Sequence, residues 1–357
     1  MSNSGRVHEH AGDGRQESPV DEPSNPTQIE KRSWKYIVKR TGTSFFRDHC
    51  TDGAATLTYY TILAVFPALV AAFSLLGVIG QNDDAARAVM GIIDEAAPED
   101  IASMVRGPIE QLAQARGAGI ALISGLLVAL WSASSYVRAF SRIMNRIYRI
   151  EEGRPFWKLR PLQLLVTLLA ILSFAIAAFI LVMSGEVLSA VGNAVGASEI
   201  VQTTWRIAKW PLLVFVVVFI IAMLYFSAPN VQQPKFRWIS PGAIVAIVLI
   251  AVGTLGFGIY VTNFSNYDRT YGSLAGVVIL LLWVWIANLG MLLGAEFDVE
   301  LERARQLQGG IAAEEELQLS PRDSRRIVKV KKKDRDLAAE GYRIRTQAES
   351  NARRAEE

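Results

Sequence analysis

The sequence predicts an all-α polytopic membrane protein of six transmembrane helices, both termini in the cytoplasm, with amphipathic helices at the interface. Three observations carry that prediction. Six long stretches contain neither Lys nor Arg: residues 55–80, 117–137, 162–191, 211–227, 241–262 and 272–294. Only one acid, Glu186, lies inside any of them. Basic residues crowd one set of loops, so the spans acquire a direction. The ordinary 20% charged fraction of this 357-residue chain is therefore the mean of two unlike populations.

About 20 apolar residues at ~1.5 Å rise cross a ~30 Å hydrocarbon core, which is the length these stretches offer. The shortest is 211–227. The longest, 162–191, has room to tilt or to leave the bilayer before its end. With the N-terminus inside, loop 138–161 carries seven basic residues and loop 228–240 carries Lys235 and Arg237. Adding the residues close to the membrane at either end gives 15 basic residues inside, against six in the outer loops 81–116, 192–210 and 263–271.

Residues 1–33 are polar and scattered with Gly, Pro and acids, the composition of a disordered tail. They contain no apolar signal-type region, so the first span is expected to direct insertion. Trp34, Ile37, Val38, Thr41 and Phe45 then recur at helical spacing among Lys35, Lys39 and Arg40, as in a helix lying in the inner interface. In the first span, Thr56, Thr58, Tyr59, Tyr60 and Thr61 make the cytoplasmic half polar, and Pro67 frees the carbonyl of Leu63. The outer loop 81–116 reads as an acidic helical hairpin. In the second span Trp131, Ser132, Ser134, Ser135 and Tyr136 repeat the polar inner half. The two clusters either line a cytoplasm-facing cavity or bond helix to helix beside an aromatic belt.

Arg138, Arg142, Arg146 and Arg149 follow at steps of four, four and three, with Phe140, Ile143, Met144 and Ile147 on another face. Such a helix fixes topology and binds anionic headgroups at about 1 kcal/mol per Arg. Glu186 is either a proton or cation site or, if the third span surfaces near residue 184, a headgroup-level residue. Gly253, Gly256 and Gly258, with the pairs Gly272/Gly276 and Gly290/Gly294, are close-packing positions. Residues 34–305 form the membrane domain, and 306–357 a charged, solvated cytoplasmic tail containing Lys329, Lys331, Lys332 and Lys333. That run has no aromatic interleaving, so no specific nucleic acid is expected.

Enzyme chemistry finds little material. Cys50 is the single cysteine, and His8, His10 and His49 are the only histidines, so no metal or cofactor is expected. Neither a phosphate loop nor a Gly-x-Ser-x-Gly elbow occurs.

Several blocks resemble the YihY/BrkB family of bacterial membrane proteins. They run from Thr58-Tyr59-Tyr60 to Phe66-Pro67, and from Trp131-Ser132-Ala133-Ser134 through Asn145-Arg146-Ile147-Tyr148 to Phe156-Trp157-Lys158-Leu159-Arg160. A third block joins Tyr267, Tyr271 to Gly276, Trp283, Leu293 to Glu296 and Glu300 to Arg303. The resemblance implies a bacterial inner-membrane protein of about six spans, tied to serum resistance and to movement of lipid or lipopolysaccharide precursors. Its members have also carried the label ribonuclease BN, which the missing His-x-His-x-Asp-His motif of zinc hydrolases argues against. The leading expectation is transport or export of a lipid or amphipathic envelope component. Tyr59, Tyr60, Pro67, Trp131, Ser132, Ser134 and Glu186 are its candidate cavity residues, and the four arginines its headgroup site. The alternative is a non-transporting scaffold or envelope-integrity factor. Membrane lipids are the expected partners, anionic lipid at the cytoplasmic surface among them, and a homo-oligomer is left open.

Overall fold

A computed structural model describes residues 28–79, 118–182, 199–232, 240–263 and 275–356, with the backbone path alone at 65–79 and 118–126. Glu186, Gly272, the hairpin 81–116 and the tail 1–27 lie outside the described residues. Eight helices account for nearly all of the described chain. They are α1 (Lys31–Arg47), α2 (Cys50–Ile79), α3 (Ala118–Ile147), α4 (Phe156–Val182), α5 (Glu199–Ser227), α6 (Pro241–Asn263), α7 (Ala275–Gln308) and α8 (Arg325–Glu356). Among the described residues, four helices are long and apolar enough to cross a membrane, over Phe156–Leu181, Thr203–Ser227, Pro241–Asn263 and Ala275–Gln308. Their apolar side chains are largely exposed, among them Leu172, Phe174, Val214, Phe215, Val252 and Leu255. A surface of that kind is stable only against hydrocarbon or another protein.

The helices outrun the apolar stretches. α4 begins at Phe156 rather than 162 and passes through Pro161; α5 begins at Glu199, inside the expected outer loop, and passes through Pro211. α7 continues 14 residues past Gly294 to Gln308. Hydropathy marks where hydrocarbon lies, whereas the backbone ladder runs on into water wherever a packed neighbour supports it. For the same reason the arginine-bearing segment after residue 137 is no separate interfacial helix. It is the last turns of α3, with Phe140, Ile143, Met144 and Ile147 buried.

Small residues set the closest crossing, between α6 and α7. A Cβ on Gly242 would stand 2.1 Å from the Gly294 carbonyl oxygen, and one on Gly294 would stand 2.4 Å from that of Gly242. Farther along, Gly253 abuts Ile286 and Gly290 abuts Ile250. Gly256, Gly258 and Gly276 correct the sequence expectation, since among the described residues a Cβ there would meet nothing within 4 Å. Ser240 caps α6 by accepting the Ala243 N–H at 3.0 Å and donates to Asp298 of α7, which also accepts the Gly242 N–H at 2.6 Å. The cap of one helix is thereby tied to the flank of its neighbour.

α1 also departs from expectation. Its Ile37 is fully buried against Leu301 and Ala304 of α7, and Trp34 stacks on Phe297 at 6.3 Å. The stripe read as membrane-facing covers the extension of α7 past Gly294, while Val38 and Phe46 remain exposed. After Gln308 the chain folds back. Ile311 and Ala313 are buried, and Val231 pairs with Pro321 in a short antiparallel bridge. Beyond it α8 stands with no described side chain buried.

Candidate functional site

The polar halves of α2 and α3 meet through a residue of α7. The Tyr136 hydroxyl donates to Asn288 Oδ1 at 3.0 Å; Asn288 Nδ2 donates to Thr58 Oγ1 at 3.2 Å; Thr58 donates to the Ala54 carbonyl at 2.8 Å. Every donor in this relay has its acceptor, as polar groups in a low-dielectric interior require. Behind it Tyr136, Phe140 and Tyr225 form a stacked column with centroids 6.2 and 6.3 Å apart, and the Tyr225 hydroxyl donates to the Met291 carbonyl. One further link follows from Pro67. Having no N–H, it leaves the Leu63 carbonyl without its helical donor. Ser132 Oγ of α3 supplies one at 3.3 Å.

Where α7 leaves the apolar stretch it carries a buried charged junction. Glu300 is 1% exposed and accepts from Ser44 at 2.8 Å and from Arg303 at 2.9 Å, with Arg40 Nε 3.0 Å away. Arg303 is equally buried and reaches the Ala313 carbonyl, which pins the returning chain. Glu296, one turn earlier, is fully buried and accepts only the Cys50 thiol, at 3.4 Å. Breaking the buried Glu300–Arg303 pair costs about 3–5 kcal/mol, because the surviving charge has no water.

A second lock holds the loop between α3 and α4. Arg154, almost wholly buried, grips both oxygens of Glu152 at 2.7 Å and caps the carbonyls of Ser227 and Ala228. Asn145 donates to Glu152 at 2.9 Å and accepts the Asn230 N–H at 2.7 Å. Asn230 in turn holds the Glu151 and Asp323 carbonyls. Burial alone raises the Glu152 carboxyl, but the Arg154 hydrogen bonds and charge, helped by Asn145, overcome it and leave it below the ordinary carboxylate range.

On this scaffold sits an open recess of about 400 Å³, lined by Arg142, Asn145, Arg146, Arg149, Ile150, Glu151 and Glu152. Arg142, Arg146 and Arg149 are exposed. Arg149 takes a left-handed backbone (φ 54°) and donates to the Glu315 carbonyl at 3.1 Å. Glu152 is already committed to Arg154, so its charge does not cancel the three guanidiniums. Three of the four arginines read from the sequence therefore share one recess. The fourth, Arg138, is turned to Ser135 and to the Trp131 ring, 5.8 Å from its centroid.

The candidate cavity residues are less gathered. Tyr59 is 61% exposed, while Tyr60 is half-buried and packs edge-on against it. Ser134 is buried and donates to the Trp131 carbonyl in its own helix. Trp131 is exposed, with the Arg160 guanidinium 4.2 Å above its ring. Pro67 lies on α2 where only the backbone is described, and Glu186 is outside the described residues. Sequence reasoning missed Asn288, Glu296 and Arg154. A lone Asn in an apolar stretch was the one available signal for Asn288; the other two are settled by partners distant in the chain.

A multi-pass, all-helical membrane protein with a hydrogen-bonded polar centre and a basic recess at one end is the class these features define. The virulence factor BrkB family model matches residues 41–318, and the chain belongs to that family. Among its relatives is YfkH of Bacillus subtilis (strain 168), named as a ribonuclease-like protein, 31% identical over 71% of this chain and 90% of the relative. UPF0761 membrane proteins of Xanthomonas oryzae pv. oryzae (strain PXO99A) and Xanthomonas campestris pv. campestris (strain B100) are 27% identical over 70% and 73% of this chain. This chain spans 57% and 59% of their lengths. No solved structure matches it.

Proposed function

We propose that this chain is a six-span protein of the bacterial cytoplasmic (inner) membrane, both ends inside, that transports or exports a lipid or amphipathic envelope component without covalent chemistry. The observation that carries this reading is the recess of Arg142, Arg146 and Arg149 at the foot of α3. Guanidiniums fork onto phosphate oxygens, and a recess of this size admits a headgroup. The same helix carries Tyr136 and Ser132 into the polar centre, so headgroup site and polar core share one rigid element. The segments 55–80 and 117–137 fall on α2 and α3, which supports counting them as the first two spans. Reconstitution with labelled lipids of several classes tests the reading. Protein-dependent transbilayer movement of at least one class is expected, and equal movement with and without protein across all of them would sink transport.

The scaffold reading has one specific observation in its favour: the Tyr136–Asn288–Thr58 relay is closed on itself and leaves no polar atom over for cargo. In-cell crosslinking would then recover stable partners, and removing α8 would abolish the phenotype without loss of the folded protein. A ribonuclease reading rests on names alone, that of YfkH and the ribonuclease BN label of the family; metal-dependent RNA cleavage by the purified protein would revive it.

A further inference from the structure

Arg160, in the second turn of α4, presents a problem of its own. It is only 9% exposed, and its Nη1 has no hydrogen-bond partner. No acid pairs with it among the described residues. Its guanidinium lies 4.2 Å from the centre of the Trp131 ring, and that of Arg138, 5.8 Å from the same centre, bears on it as a like charge. Two guanidiniums against one ring with no paired anion, one of them buried, cost free energy unless something negative joins them. One turn along the same face of α4, Gln163 is buried with its Oε1 also unpaired. An orphaned donor and an orphaned acceptor thus lie three residues apart on α4.

Their level in the membrane says what fits. Arg138 directly follows the apolar stretch of α3, and Arg160 directly precedes that of α4. Trp131 is exposed, and so are Leu127 and Val128, one turn deeper into the apolar stretch. Phe156 and Trp157, at the start of α4, are exposed as well, as aromatic residues at a membrane–water boundary are. The pair of arginines thus sits at the depth of lipid phosphates, beside an apolar strip open to an acyl chain.

We propose that Arg160 and Arg138 hold the phosphate of an inner-leaflet glycerophospholipid, its acyl chain lying along Trp131, Val128 and Leu127. Arg160 Nη1 donates to a phosphate oxygen, and Gln163 Oε1 accepts from a headgroup hydroxyl. This site lies apart from the recess of Arg142, Arg146 and Arg149. It deepens the lipid-handling reading without depending on transport: a protein that binds lipid here and moves none keeps this site and loses only that reading.

The test uses the full-length protein in mild detergent, titrated with short-chain phosphatidylglycerol. Glycerol 3-phosphate, inorganic phosphate and a short-chain diacylglycerol are the comparison arms. Binding is followed by native mass spectrometry and by the shift in melting temperature. Phosphatidylglycerol should bind and stabilise. Arg160→Gln and Arg138→Gln should each weaken it by about tenfold, the size of one lost charged hydrogen bond, and Arg160→Lys should recover part of the loss. Unchanged affinity in both glutamine variants would overturn the proposal. Should Arg160→Gln not fold, the Arg138→Gln result decides in the same way. Binding of inorganic phosphate as tightly as the lipid would overturn the lipid assignment, as would equal binding of the diacylglycerol.

Discussion

Gly294 and Gly242 are where one methyl group decides whether α6 and α7 meet. The Gly294→Ala Cβ would lie 2.4 Å from a backbone oxygen that has no room to retreat. Overpacking of that kind costs about 1–3 kcal/mol, so the melting temperature should fall clearly. Gly256→Ala, with open space around it, should leave stability unchanged or slightly raised, since Ala loses less backbone freedom on folding. Unfolding monitored in the same detergent compares the two, and equal effects would contradict the crossing described. Glu152 gives a different residue-level expectation. Its carboxyl is held below its ordinary value, so it contributes stability above that value and loses it as pH falls through the lower folded value. Glu152→Gln should therefore flatten the acid limb of the stability–pH curve, below about pH 4.5. The glycines could be read as small-xxx-small patterns, but which of them touch could not. That depends on which faces the two helices turn to each other, and no local pattern records it.

At the scale of elements, apolar runs locate hydrocarbon well and helix ends poorly. α7 shows why. Its last 14 residues carry Glu296, Glu300 and Arg303, past the end of the sixth apolar stretch. In the fold they are buried, Glu296 against Cys50 of α2, Glu300 and Arg303 under α1 and the returning chain. Charge alone cannot distinguish a solvated helix from one whose charges are paired inside. The C-terminal region makes the same point. Residues 309–323 pack through Ile311, Ala313 and the Val231–Pro321 bridge, whereas α8 buries nothing that is described. Ending the chain at Ser324 should leave the melting temperature and the monodispersity of the purified protein intact. Ending it at Gly310 strands Arg303 without the Ala313 carbonyl and should cost about 3 kcal/mol or more, seen as lost yield and a lower melting temperature. Indistinguishable truncations would contradict this division of the tail.

For the whole molecule, two kinds of information were legible to different degrees. The absence of charge from long stretches needs no partner to be read, so the membrane class and the family blocks followed from the sequence. The polar centre could be read only as two separate clusters, because Asn288, which joins Thr58 to Tyr136, is one amide in an apolar run. The recess was legible as an arginine stripe, though the loss of Arg138 to Trp131 was not. All functional readings rest on one claim: the basic end of α3 faces the cytoplasm. Labelling with a membrane-impermeant maleimide tests it most directly. In a Cys50→Ala background, Arg146→Cys should react only after the inner membrane is opened, and Ser265→Cys should react in cells with that membrane intact. Reaction of Arg146→Cys in intact cells, with Ser265→Cys protected, would contradict the account.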